Sequence, residues 1–207
     1  MNYEAALFDL DGVLIDSETL YTQFWGRIGE IYHLPSPTFA NDIKGTTLSE
    51  ILEQNFAPEV REEVNRLLHQ YEDEIIYPIY PGALEFVDKL RANGLKTIIV
   101  TSSDDQKMNV LFSQHPDFLS HFDDMVTAVD VTNSKPHPEP FMRGAEKAGV
   151  PIERCLVFED SYQGLESGRR AGATVVAIAT TNPADTLAGK AAYVVPTLAD
   201  AAKVLDI

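Results

Sequence analysis

The sequence predicts an α/β protein, a Rossmann-like parallel sheet core with an inserted α-helical cap domain. Three observations predict it. Short β-branched or apolar runs recur along the chain, and helical patterns separate them from the second run onward. About 80 residues lie between the first run and the second, far more than the roughly 12 that a crossover needs. Strands alternating with helices imply right-handed crossovers and parallel pairing.

The first run, Ala5-Ala6-Leu7-Phe8, is apolar throughout and reads as a strand buried on both faces. In the long stretch that follows, Leu20, Phe24, Ile28 and Ile31 trace one helical face, and Leu48, Ile51, Leu52 and Phe56 trace another. A third face starts at Pro58 and carries Val60, Val64, Leu67, Leu68, Tyr71 and Ile75. Tyr21 and Trp25 read as core aromatics of this body. Residues 15–80 are expected to form the cap, joined to a core of residues 1–14 and 81–207 by linkers near Leu14–Ser17 and Ile79–Gly82.

Beyond the insertion, Leu84, Val87 and Leu90 mark a helix ending at Gly94, and Thr97–Val100 the second strand. Ser103 is the expected N-cap of a helix carrying Met108, Leu111 and Phe112, followed by a strand at Met125–Ala128. Phe141, Met142, Ala145 and Ala148 belong to a helix ending at Gly149. Strands follow at Cys155–Phe158 and Thr174–Ile178, and a closing helix is expected with Thr197 as N-cap and Leu198, Ala201 and Val204 on one face.

A chain of 207 residues that is 44% hydrophobic can bury a substantial core. Its formal net charge of -16 argues against nucleic-acid and anionic-membrane partners, which demand clustered Lys and Arg. The one cysteine, Cys155, stands in an apolar strand and reads as a small buried hydrophobe, which fits a cytoplasmic location. No stretch approaches the roughly 18 apolar residues of a membrane span. The start, Met1-Asn2-Tyr3-Glu4, shows no leader pattern. A monomer or weak homo-oligomer is expected.

In an open parallel sheet, ligands gather outside the carboxyl ends of the strands. There the sequence sets Asp9 and Asp11 after the first run, Thr101, Ser102 and Ser103 after the second, Lys135 after the third, and Glu159, Asp160 and Ser161 after the fourth. Asp9 and Asp11 share a side because side chains alternate in extended chain, and Gly12 permits the turn that follows. Two acids aimed at one point either bind a cation or divide a nucleophilic and a proton-shuttling role. Thr101 and the serines also suit a helix N-cap, and one of Glu159 and Asp160 suits the cap of a helix near Tyr162. The second of those acids is spare. Pro136 and Pro138 stiffen the loop around Lys135, while His137 is given no role. Hard oxygen donors without a His or Cys cluster favour Mg²⁺, which shares its shell with phosphate. Hydrolysis of a phosphate monoester asks an enzyme for on the order of 20 kcal/mol, more than any single acid supplies.

Asp9-Leu10-Asp11-Gly12-Val13, Val100-Thr101-Ser102, Ser134-Lys135-Pro136 and Phe158-Glu159-Asp160-Ser161 together resemble the four ordered motifs of the haloacid dehalogenase superfamily, in its phosphatase-like branch with a helical cap. The resemblance spans Asp9 to Gly172. It implies that Asp9 attacks phosphorus and becomes an aspartyl-phosphate, and that Asp11 protonates the leaving oxygen and then activates water. Thr101 and the backbone N–H of Ser102 would bind the phosphoryl group and Lys135 would neutralise it. Asp9, the backbone carbonyl of Asp11, Asp160 and Glu159 would hold Mg²⁺. True dehalogenases of the superfamily lack the second aspartate, so Asp11 implies phosphoryl chemistry.

Residues 17–80 contain eleven acids and four basic residues, Arg27, Lys44, Arg61 and Arg66, so few cap cations are available to grip a second phosphate. Lys44-Gly45 is the expected substrate-contacting pair of the cap, the alternative being a solvated loop lysine. It is similar to the β-phosphoglucomutase-like branch. That branch usually has a histidine at Tyr21 and a phosphate-gripping arginine at Leu48. The expected activity is therefore a phosphatase for a small phosphorylated metabolite such as a sugar phosphate, with the mutase as the alternative. A receiver-like phosphorylation switch also gathers Asp, Thr/Ser and Lys around Mg²⁺, but carries neither a helical cap nor an acid two residues after the acceptor.

Overall fold

The computed structural model describes residues 3–205. Met1 and Asn2, which open the stretch read above for a leader, lie outside these residues, as do Asp206 and Ile207. In chain order the regular elements are β1 (Ala5–Phe8), α1 (Glu18–Ile31), α2 (Phe39–Asp42), α3 (Leu48–Asn55), α4 (Pro58–Glu74), α5 (Ala83–Ala92), β2 (Lys96–Val100), α6 (Asp105–Gln114) and β3 (Asp124–Val126). They continue with α7 (Glu139–Ala148), β4 (Cys155–Glu159), α8 (Tyr162–Ala171), β5 (Thr174–Ile178), α9 (Ala184–Leu187), β6 (Tyr193–Val195) and α10 (Ala201–Val204).

The strands form one parallel sheet in the order β3-β2-β1-β4-β5-β6. The chain leaves β1 toward one edge and returns to its other side with β4, so the order reverses there and opens a crevice at the strands' carboxyl ends. Register keeps those ends level: Phe8 pairs with Ile99 of β2 and with Phe158 of β4. Both faces are covered, as the apolar run of β1 requires. Ala6 and Phe8 join the core formed with Phe86 and Leu90 of α5 and Leu111 of α6, while Ala5 and Leu7 pack with Phe141 of α7 and Leu165 of α8. Phe8 stacks on Phe158 with ring centroids 4.8 Å apart. Burying one such ring contributes about 2 to 3 kcal/mol.

Helices α1 to α4 have a separate apolar core, centred on Phe24, Trp25, Phe39, Phe56, Val64 and Leu68. The two chain segments leading to and from them run side by side. Asp16 N–H donates to Pro78 O at 2.7 Å and Tyr80 N–H to Leu14 O at 3.0 Å, with Ile15 bridged to Ile79.

Several local expectations change. The third strand is Asp124–Val126, not Met125–Ala128, because Thr127 and Asp130 form a reciprocal cap that turns the chain out of the sheet. Tyr193–Val195 adds an edge strand that the sequence reading missed, its run being too short to stand out. The N-cap of α6 is Asp104, whose carboxylate accepts from Lys107 N–H; Ser103 is drawn off toward Asp11. Ser161, not an acid, caps α8 by accepting from Gly164 N–H. The closing helix is interrupted. Thr197 donates to Asp200, a 3₁₀ turn covers Leu198–Asp200, and Val204 is exposed while Leu205 is buried. Ile31 is likewise exposed at the end of α1.

Candidate active site

Asp9 leaves β1 beside β4, where its N–H donates to Phe158 O at 3.0 Å. Its carboxylate meets Lys135, which returns from the loop after β3. Lys135 Nζ lies 2.5 Å from Asp9 Oδ1, 2.7 Å from Glu159 Oε1 and 3.2 Å from Val100 O. This lysine is only 1% exposed, so its ion pairs are almost unscreened by water. Burial works against its charge, but Asp9 and Glu159 overcome that and hold its pKa above the usual lysine value.

Glu159 has both oxygens in use. Oε1 accepts from Lys135, while Oε2 accepts from the N–H groups of Asp160 at 2.9 Å and Ser161 at 2.8 Å and from the Ser161 hydroxyl at 3.0 Å. Helix α8 makes room for this carboxylate with Gly164, where a Cβ would stand 1.7 Å from Oε1. Asp160 accepts from the Thr181 hydroxyl and lies against Gly12, whose φ of +75° and lack of a side chain both serve the close approach.

The carboxylates of Asp9, Glu159 and Asp160 come within 4.8 Å of one another, all buried. Burial pushes Asp9 up to about 8, with Lys135 opposing and the charges of Glu159 and Asp11 adding to the rise. Burial also raises Asp160 well above the usual carboxylate range, and Glu159 adds to it. One lysine does not offset the burial of three acids, so Asp9 and Asp160 are pushed toward their neutral forms unless a further cation joins them, and the donors are all hard oxygens. The set fits a divalent cation of the Mg²⁺ kind. Asp9 and Asp160 have oxygens to offer, whereas those of Glu159 are already committed.

Asp11 faces the same pocket but is held apart from that cluster by Lys107 of α6, with Nζ at 2.5 and 2.6 Å from its two oxygens. The Ser17 hydroxyl donates to Asp11 Oδ1 and the Ser103 hydroxyl to Oδ2, the latter at 3.1 Å. Burial raises the Asp11 carboxyl, yet the Lys107 charge and these hydrogen bonds outweigh it, and the net position is below the usual range. Thr101 is buried, donates to Ser103 Oγ at 3.0 Å and accepts from Ser103 N–H.

The pocket opens between these groups and the helices above. Asp9, Asp11 and Asp160 line its floor, and Tyr21, Trp25, Leu48, Ile51 and Leu68 its apolar roof. Lys44 and Gly45 are at its edge. Lys44 Nζ lies 2.7 Å from Glu18 Oε2, and the Ser102 hydroxyl donates to Gly45 O at 2.9 Å. Gly45 has φ +84° and packs so closely on Ser161 that a Cβ would be 2.9 Å from its hydroxyl. Tyr21 does not reach Asp11 with its hydroxyl, which donates to Glu72 at 2.7 Å and lies 2.8 Å from the Tyr77 hydroxyl; its ring covers Lys107 instead.

Residues 6–178 match the haloacid dehalogenase-like hydrolase family. The chain belongs to that family. Among relatives of this hydrolase family, the Phosphorylated carbohydrates phosphatase of Thermotoga maritima is 32% identical over 182 residues, covering 82% of each chain. Pyrophosphatase PpaX of Bacillus cereus is 30% identical over 190 residues, covering 87% of this chain and 85% of the relative. Among solved structures, the beta-phosphoglucomutase of Clostridium difficile superposes with a TM-score of 0.78 at 27% identity, covering 96% of this chain and 92% of that one. The protein is therefore an enzyme of the haloacid dehalogenase-like hydrolases.

Of the residues singled out from the sequence, Asp9, Asp11, Ser102, Ser103, Asp160 and Ser161 line the pocket together with Tyr21, Lys44 and Gly45, while Lys135 is bonded to Asp9, Glu159 to Lys135, and Thr101 to Ser103. Sequence reasoning missed Ser17, Glu18, Glu72, Lys107 and Thr181. Lys107 left one trace: it is in the first turn of α6, where the helix dipole disfavours a cation unless an anion faces it.

Proposed function

We propose that this hydrolase is a Mg²⁺-dependent phosphatase for a small phosphorylated metabolite, a sugar phosphate by class, acting through an aspartyl-phosphate. The observation that carries this reading is the placing of Asp9 against buried Lys135 while a second, separately held carboxylate, Asp11, faces the same pocket. One acid is set up to attack and the other to move protons.

In the first step an Asp9 oxygen bonds to phosphorus as the bond from phosphorus to the leaving oxygen breaks. That oxygen takes its proton from Asp11. Phosphate bound beside Asp11 adds negative charge and favours its protonated form for this step. In the second step water attacks the same phosphorus, the bond to Asp9 breaks, and Asp11 takes the water's proton. Alcohol and inorganic phosphate leave, and both acids return to their starting states. Thr101 and Ser102 hydrogen-bond the phosphoryl oxygens, and Lys135 offsets their charge. Asp9, Asp160 and the Asp11 carbonyl would hold Mg²⁺, which neutralises phosphoryl charge and leaves phosphorus more open to attack. Glu159 acts through Lys135, which it orients.

The roof supports a phosphatase over a mutase. Leu48, facing the pocket, offers no charge for a second phosphate, and the one lysine at the edge, Lys44, is already paired with Glu18. The mutase remains the second reading because Lys44-Gly45 and the beta-phosphoglucomutase structure both bear on it. Screening phosphorylated metabolites with Mg²⁺ separates the two. Phosphate release that chelation with EDTA abolishes supports the phosphatase, whereas primed conversion of β-glucose 1-phosphate to the 6-phosphate without net phosphate release overturns it.

A further inference from the structure

We propose that Lys107 is a positioning residue for the attack of water, holding both oxygens of Asp11 from the core in the orientation that proton transfer needs. The inference rests on the phosphatase reading. Lys107 is 5% exposed, and its ammonium reaches the two Asp11 oxygens at 2.5 and 2.6 Å. Its backbone is fixed as well, because its N–H donates to the capping carboxylate of Asp104 at 3.1 Å. With one hydroxyl on each oxygen besides, from Ser17 and Ser103, all of the roughly four acceptor sites of a carboxylate are taken.

A base with no vacant acceptor site cannot bind water until one donor withdraws. The hydroxyls are neutral and single, so either can yield its place. The two bonds to Lys107 are charge-assisted and span both oxygens, so they keep the carboxylate plane fixed while that exchange happens. Lys107 and Ser103 both belong to the core, and the orientation of Asp11 is therefore set there. Two rings supply cover: that of Tyr21 on α1 lies 4.2 Å from the ammonium, and that of Tyr77, in the segment returning from α4, lies 5.6 Å from it. Excluding water from the pair strengthens it.

Lys107→Met tests this with p-nitrophenyl phosphate and Mg²⁺ in rapid mixing. p-Nitrophenolate needs no proton on leaving, so phosphorylation of Asp9 should survive in the variant and hydrolysis of the aspartyl-phosphate should slow. The expected record is a burst of one equivalent of p-nitrophenol, then a steady rate about 100-fold below wild type, with KM lowered and a phosphorylated Asp9 peptide seen by mass spectrometry. Lys107→Arg keeps the charge and should fall between wild type and Lys107→Met. An Arg variant no better than the Met variant, or slowing of both phases without a burst alongside a lowered melting temperature, would assign Lys107 to stability alone and overturn the proposal. Asp11→Asn run in parallel separates the two claims. Normal turnover in Asp11→Asn defeats the phosphatase mechanism itself, and Lys107 with it; a burst in Asp11→Asn beside wild-type turnover in Lys107→Met defeats the Lys107 assignment alone.

Discussion

At the floor of the pocket Lys135 serves two carboxylates with its side chain fully buried, and at the edge Lys44 serves one carboxylate with both partners partly exposed. The chemistry of the two pairs is the same; their dielectric surroundings are not. Removing one member of a buried set leaves a desolvated charge without a partner, which costs about 3 to 5 kcal/mol. The Lys44–Glu18 pair is less deeply buried, so water screens it more and its loss leaves a smaller desolvated charge, although burial still raises the Glu18 carboxyl against the pull of Lys44. Changes at the floor should therefore be felt in both catalysis and stability, and changes above it in substrate preference.

Asp9→Asn should produce the largest effect, a loss of phosphate release of about 10⁴-fold or more, as expected for a nucleophile. Steady-state assays on the best substrate of the metabolite panel measure it. A rate near that of wild type would break the contrast at its floor.

Gly164→Ala comes next and sharpens the same contrast without touching a charged group. Its Cβ would stand 1.7 Å from Glu159 Oε1, so the carboxylate must leave its place on Lys135. Activity should fall about 100-fold, the scale of a misplacement near 1 Å, and unfolding free energy by about 3 kcal/mol. Chemical denaturation beside kinetics checks both. Unchanged stability would mean that Glu159 relaxes freely, and that the floor is less tightly packed than its burial implies.

The same contrast decides what the sequence could reveal. Asp9, Thr101 and Asp160 were legible because each follows a strand closely, and a level parallel sheet brings strand ends to one rim, whereas Lys135 lies well beyond β3 and was legible from its place between the third and fourth strands in a loop stiffened by Pro136 and Pro138. The strands themselves were legible where both faces are buried, as in Ala5–Phe8, and not where three residues form an edge, as in Tyr193–Val195. Lys107, Glu72 and Thr181 were not legible, since their partners are set by how helices and loops pack, and no local pattern encodes a contact 96 residues away. Ser103 shows why a correct residue type can carry a wrong role. Serine suits an N-cap, but Asp104 beside it suits one equally and leaves the Ser103 hydroxyl free for Asp11.

Lys44→Ala should raise KM about 10-fold for the preferred substrate, the scale of one charge-assisted hydrogen bond, with kcat little changed. The loss should differ among substrates of the panel. Equal kinetics on all of them would leave Lys44 as the partner of Glu18 and nothing more.

Glu50→Ala should have the smallest effect, and it asks whether the contacts between roof and floor are worth more than their exposure suggests. Glu50 of α3 accepts from the hydroxyl of Ser134, next to Lys135. Two other contacts tie the same bodies, from Ser102 to Gly45 O at 2.9 Å and from Gln163 to Asp42 O at 2.9 Å. With these left intact, loss of the Glu50 bond should remove about 1 kcal/mol from the closed arrangement, seen as about a 5-fold fall in kcat/KM with global stability unchanged. A fall approaching that of Asp9→Asn would mean that α3 holds Lys135 in register through Ser134, and the division between a catalytic floor and a selective roof would have to be redrawn to include Glu50.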